Sequence, residues 1–260
     1  MAVLSAATPA GETPGLVRFT GAEQVLAAQR ASLPQPDQMC GPFAAHVALH
    51  ALARGPQAIP GLLELARCAG TRVYPEDLPE ARPPGVESVP LGWDELPHAP
   101  SPYDGGTEAA GLAAGLISCT GGMVGVVPVR QAAPGPWPAY ELTTLLGDVA
   151  AAPYPVGVVA NVATGPLGGI DGDTTWDVGH FVVIWGLDAD AGLVALADNY
   201  VQLTGEGMPP GCRLVTVEAL GEALGQEPGR GLLLLAPPER AALLAERSVE
   251  LGMVLEAWRA

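Results

Sequence analysis

The chain of 260 residues contains no lysine: its twelve basic residues are all arginine, set against 28 acidic ones, for a formal net charge of −16. That balance excludes the basic footprint that nucleic acid requires, and at long range it favours neutral or cationic partners. Lysine's absence, beside abundant alanine, glycine, proline and arginine, reads as compositional bias and not as chemistry. Long hydrophobic runs are missing too. Glycine or proline interrupts every candidate before the roughly 18 apolar residues of a membrane helix, so no membrane insertion is expected. The start, Met1-Ala2-Val3-Leu4-Ser5, has neither a basic stretch nor a long apolar core, which predicts no signal peptide and a cytoplasmic location. Cysteine is scarce. Cys40, Cys68, Cys119 and Cys212 form no Cys-x-x-Cys pair, so neither a zinc site nor a disulfide framework is expected. Three of the four read as small buried hydrophobes.

What remains is a chain that is 48% hydrophobic and heavily punctuated by glycine and proline, long enough to bury a real core. Residues 1–14 are small, polar and Pro/Gly-rich and are expected to form a disordered tail, leaving 15–260 as a single domain. Thr20-Gly-Ala-Glu23 has the form of a capping box and predicts a helix to about Arg30. Leu33-Pro-Gln-Pro36 must be extended, because residues before proline avoid the helical region. A helix then starts at Cys40, with Pro42 in its first turn, and ends at Gly55-Pro56. Residues 56–106 are rich in turns and read as a Pro-rich inserted segment with a short helix near 61–69. Helices are predicted at 107–119 and 139–150, and strands at 123–129, 156–162, 180–186, 193–198, 213–217 and 231–236. The Asp/Gly-rich stretch 187–192 predicts a hairpin between the third and fourth of these strands. An amphipathic helix is predicted over 237–260, with Leu243, Leu244, Leu251, Val254, Leu255 and Trp258 towards one side. Helices followed by an antiparallel sheet make an α+β arrangement.

A thiol attacks as thiolate, so a catalytic cysteine needs a helix N-terminus and a nearby imidazole. Cys40 stands where an extended segment turns into a helix. His180 opens a strand behind Gly179, and Asp198 ends the paired strand of the same hairpin. Asp198 or its neighbour Asn199 can therefore reach one ring nitrogen while the other faces the thiol. The backbone N–H of Cys40 and a side-chain amide from Gln35 or Gln38 are the candidate oxyanion donors.

Other clusters read as structural. His46 and His50 lie four apart on one helix face, but a third ligand and the general-base glutamate of a zinc-protease motif are missing, so no metal site is expected. Asp171, Asp173, Asp177, Asp188 and Asp190 lie in Gly-rich loops without the rest of a calcium loop and read as solvated acids. The glycine pairs at 121–122 and 168–169 read as turns. No cofactor is expected.

Three islands, Gln35-Pro-Asp-Gln-Met-Cys40-Gly-Pro-Phe43, Gly179-His180-Phe-Val-Val-Ile-Trp-Gly186 and Leu196-Ala-Asp198-Asn199, together resemble the papain-like cysteine peptidase superfamily. The pattern is most similar to its bacteriocin-processing (C39-like) branch. The resemblance implies a papain-like fold whose central helix starts at the nucleophile and packs on an antiparallel sheet. It implies Cys40 as nucleophile, His180 as base, Asp198 as orienting acid and an upstream glutamine in the oxyanion hole. Gln35 stands five residues before Cys40 and Gln38 two; Gln35 is preferred. The expected activity is a thiol hydrolase cutting a peptide or small precursor peptide, as in peptide maturation. The same residues would also serve an acyltransferase, cyclase or transglutaminase-like enzyme, or a catalytically silent binding module that keeps the fold. Bacteriocin-processing domains are commonly fused to a transporter; the sequence shows none, so export-coupled cleavage is not implied.

Overall fold

Strand β3 (Gly157–Ala163) is buried along its whole length, and the sheet extends to both sides of it. In the computed structural model, residues 14–53, 59–169, 176–226 and 230–258 are described. Among them are seven strands in the order β2 (Gly125–Arg130), β7 (Gly231–Ala236), β3, β4 (Gly179–Asp188), β5 (Leu193–Ala197) and β6 (Cys212–Thr216), with the short β1 (Val17–Arg18) pairing the far end of β4. Every pairing is antiparallel. With seven α-helices among the described residues, the architecture is α+β.

Strand residues alternate between two apolar clusters, as the period of two requires. Val158, Ala160, Val182, Ile184, Leu232 and Leu234 face α5 (Ala139–Ala151) and α6 (Val217–Gly225). Val159, Phe181, Val183, Trp185, Leu233 and Leu235 face α2 (Cys40–Leu49) and α4 (Ala109–Cys119). Because helices cover both faces, the central strands read as continuous apolar runs. Helix α2 lies directly on β3 and β4. Its small inward residues allow this, and so does Gly157: a Cβ there would come within 2.8 Å of the Ala48 carbonyl.

Several elements differ from expectation. Helix α1 (Ala22–Ser32) starts later than the capping box suggests, behind Gly21 in the left-handed region at φ 94°. Thr20 bonds the Ala152 carbonyl instead, and Glu23 pairs with Arg18. The C-terminal helix α7 (Pro238–Glu250) stops well short of 260. Gly252, at φ 83°, turns the chain out of the helix so that Val254 bridges Arg130 and Trp258 buries itself against the opposite face of the sheet. The predicted apolar stripe is therefore split between two environments. Strand β1 and helix α6 were not anticipated; α6 is capped by Thr216, whose hydroxyl accepts the Ala219 N–H, at a position read as strand. The expected N-terminal tail falls almost wholly on residues 1–13, outside the described residues.

The cysteine expectation is corrected as well. Cys68, on α3 (Leu62–Cys68), and Cys119, at the end of α4, form a disulfide. The helices come close because α4 presents glycines to α3: a Cβ at Gly115 would lie 2.6 Å from the Ala69 nitrogen, and one at Gly111 2.4 Å from its carbonyl. Cys212 is free and buried.

The Pro-rich segment returns to the chain just before α2. Val73 packs with Met39, Ala66 and Leu96 in a small separate cluster. Asp37 accepts from Ser88 at 2.6 Å and from the Val89 N–H at 3.1 Å, and meets Arg82, itself bidentate to Asp77. Among the described residues no helix is long and apolar enough to cross a membrane.

Candidate active site

Cys40 is the first residue of α2 and partly exposed. Burial by itself would raise its pKa. The hydrogen bond and charge of His180, helped by the backbone amides of Phe181 and Gly41, outweigh that and hold the thiol below its ordinary value. The N-terminal turn of a helix, with backbone donors that have no intrahelical acceptor, suits the resulting thiolate.

His180 comes from the start of β4, which packs on α2. Its Nε2 is 3.1 Å from Asp198 Oδ1, which leaves Nδ1 to the thiol. Burial opposes charge on the ring, but the Asp198 carboxylate and the Cys40 sulfur push its pKa up to about 9. Asp198 follows β5, directly beside β4 in the sheet. It is fully buried, which would favour the neutral acid, yet His180, Arg213 and the Asn199 N–H hold it below the usual carboxylate range. The three groups form a chain in which each neighbour favours the charged form of the next.

Arg213, on β6, donates to Asp198 Oδ2 at 3.0 Å and to the carbonyls of Leu167 and Gly168. Sequence reasoning passed over it; its only signal was an arginine inside an apolar strand. Two aromatic rings enclose the imidazole and were also missed. Trp176 meets it edge-on at 5.4 Å, and Tyr200 stacks on it at 5.6 Å. Both are buried, so the His180–Asp198 pair is kept from water on that side and its electrostatic coupling is strengthened.

The alternatives separate clearly. Asn199 gives its amide to the Phe181 carbonyl at 2.8 Å and its backbone N–H to Asp198 Oδ1 at 2.7 Å. It holds the acid and strand β4 and does not orient the ring, which corrects its candidacy for that role. Gln38 is at φ 64° and turns its side chain to Tyr74, accepting from the Tyr74 N–H at 2.6 Å and donating to its carbonyl at 2.8 Å. It clips the Pro-rich segment to the loop before α2, so its candidacy as oxyanion donor is corrected too. Gln35 is buried, its amide 3.4 Å from the Tyr200 hydroxyl, and its Oε1 has no partner among the described residues. Exchanging amide oxygen and nitrogen would let Oε1 accept from Tyr200 and free the N–H₂ as a donor.

The remaining candidates lie apart. His46 meets the Pro60 carbonyl through Nδ1 at 3.0 Å and packs edge-on against His50. Asp177 accepts the Gly165 N–H across the loop, and Asp188 accepts the Ala191 N–H as a turn acid; Asp171 and Asp173 lie outside the described residues.

The chain belongs to a family of unknown function, DUF6885, whose model matches residues 19–259. No curated protein matches its sequence.

Proposed function

We propose that this protein is a papain-like cysteine peptidase acting on a peptide or small precursor peptide. The observation that carries the reading is the placing of Cys40 beside His180, itself bonded to Asp198 at 3.1 Å, at the junction of a buried central helix and adjacent strands of an antiparallel sheet. A lowered thiol beside a raised imidazole is the charge pattern of an activated nucleophile.

In this mechanism Cys40 Sγ attacks the peptide carbonyl carbon. The carbonyl electrons move to oxygen, stabilised by the Cys40 N–H and the amide of Gln35. His180, already protonated, gives its proton to the leaving amine as the C–N bond breaks, leaving a thioester on Cys40. Neutral His180 then takes a proton from water, which attacks the thioester; the acid leaves and Cys40 departs as thiolate, restoring the pair with protonated His180. Asp198, itself held by Arg213, keeps Nε2–H engaged so that Nδ1 stays turned to the sulfur.

The test is incubation of wild type and Cys40→Ser with a mixed peptide library, followed by mass spectrometry of the products. New termini with wild type and none with the variant are expected. A protein that yields neither cleaved peptides nor an acyl adduct on Cys40 contradicts the reading. Products carrying an added amine instead of water would convert it to acyl transfer.

A further inference from the structure

Ten of the twelve arginines lie in the described residues, and six of those join ion pairs. Of the other four, Arg30, Arg72 and Arg240 are exposed, but Arg230 is half-buried. Among the described residues no carboxylate is bonded to it, and a guanidinium withdrawn from water without one is expensive to hold. The way Arg230 is held points to a use.

Arg230 immediately precedes β7, and its backbone is fixed by an N–H bond to the Leu224 carbonyl. Its Nη1 donates to Asn161 Oδ1 at 3.0 Å. The same oxygen accepts the Trp258 indole N–H at 3.0 Å, while the Asn161 amide reaches the His180 carbonyl at 3.4 Å. The guanidinium then lies against Gly179, the residue before His180: a Cβ there would sit 2.8 Å from Nη1 and 3.1 Å from Nη2. Glycine at the head of β4 thus leaves room for the arginine against the backbone that leads into His180. Among the described residues Nη2 makes no hydrogen bond and the buried Nε has no partner. Asp177, the acid that bears on it electrostatically together with Cys40, gives Oδ1 to the Gly165 N–H. Arg230 also lines a cavity of about 160 Å³ with Arg130, which is paired with Glu256, and Gln131.

We infer that Arg230 is a substrate-binding residue that recognises a carboxylate close to the carbonyl attacked by Cys40, with Asn161 and Gly179 aiming it, so that the substrates are acidic peptides. The free edge of a guanidinium fits a carboxylate through parallel N–H···O bonds. This rests on the thiol-hydrolase reading and names its substrate class.

Two reagents of nearly equal shape test it. Iodoacetate and iodoacetamide both alkylate a thiolate, the S–C bond forming as iodide leaves, but only the first carries a carboxylate. The rate of each at Cys40 is measured by mass spectrometry at pH 7 in wild type, Arg230→Gln and Arg230→Lys. The iodoacetate-to-iodoacetamide ratio cancels any general change in thiol reactivity. It is expected to fall roughly tenfold in Arg230→Gln, with Arg230→Lys between. An unchanged ratio overturns the inference. In the wild type, competition by acetyl-Ala-Ala with a free terminus assigns a terminal carboxylate, and competition by acetyl-Glu-Ala amide a side-chain one. Slowing by neither counts against the inference, and this arm decides if the variants fail to fold. If neither reagent labels Cys40 ahead of Cys212, it is the thiol-hydrolase reading that fails.

Discussion

Arg213 donates to Asp198 Oδ2 at 3.0 Å while His180 meets Oδ1 at 3.1 Å, so one buried carboxylate is balanced from both sides. Removing Arg213 leaves half of that balance. Arg213→Gln is expected to destabilise the protein by about 3 kcal/mol, since it uncovers a buried charge. The sign of the pH effect follows from Asp198. Its pKa is depressed in the folded state, so its contribution is present above the ordinary value of 3.8 and is lost as pH falls through the folded value. Without Arg213 the folded value rises and the loss begins at higher pH. Acid unfolding followed by circular dichroism should show the midpoint moved upward; an unmoved midpoint would leave Arg213 without the role given to it.

Asp198→Asn keeps the shape of the side chain but removes the largest influence raising His180. The imidazolium is then no longer favoured at neutral pH, and the thiolate loses its counter-charge. Alkylation of Cys40 by iodoacetamide at pH 6 is expected to slow by at least about tenfold. An Asn variant that reacts like wild type would show that the acid does not govern the pair.

Gln35 is separated from the other residues of the site by the kind of electrophile used. Acylation by p-nitrophenyl acetate passes through an oxyanion, whereas alkylation by iodoacetamide does not. The ratio of acylation to alkylation rates at Cys40 is expected to fall about 100-fold in Gln35→Ala. A constant ratio would remove Gln35 from the oxyanion hole.

The Cys68–Cys119 bond closes a loop of 51 residues, for which chain entropy gives at most about 4 kcal/mol. The Cys68→Ser/Cys119→Ser double variant should lose about 2–4 kcal/mol in urea unfolding. Thiol titration of the denatured, unreduced protein should find two free cysteines, Cys40 and Cys212, and four after reduction. Four without reduction would contradict the pairing.

Much of the sheet was legible because its central strands are short apolar runs bounded by glycine and proline, and the β4–β5 hairpin announced itself by its Asp/Gly turn. Helix α2 was legible from Pro42 and the residues after Cys40. The misreadings have physical causes. The periodicity of Leu243 to Trp258 continues past the helix end, but Gly252 breaks the backbone, after which Leu255 is exposed and Trp258 is buried in the opposite cluster. The disulfide was hidden because its cysteines are far apart in sequence and meet only where the α4 glycines admit α3. At the site, Cys40, His180 and Asp198 each carried a local signal, a helix start or a strand end. Arg213, Trp176, Tyr200 and Arg230 carried almost none, since a residue that acts by packing on another is recognisable only when the sheet brings them together.

The central claim is that Cys40 and His180 share a thiolate–imidazolium pair, and the most direct measurement is the site-resolved rate of iodoacetamide alkylation as a function of pH. Cys40, held below its ordinary value, should be labelled at pH 6 about 100-fold ahead of Cys212, whose burial pushes it up to about 12. As pH falls, the Cys40 rate should drop at a lower pH than that of an ordinary thiol, as the thiolate takes up its proton. If Cys40 instead stays slow until pH approaches the ordinary thiol value near 9, keeping pace with Cys212 below it, the pair does not exist and the mechanism fails.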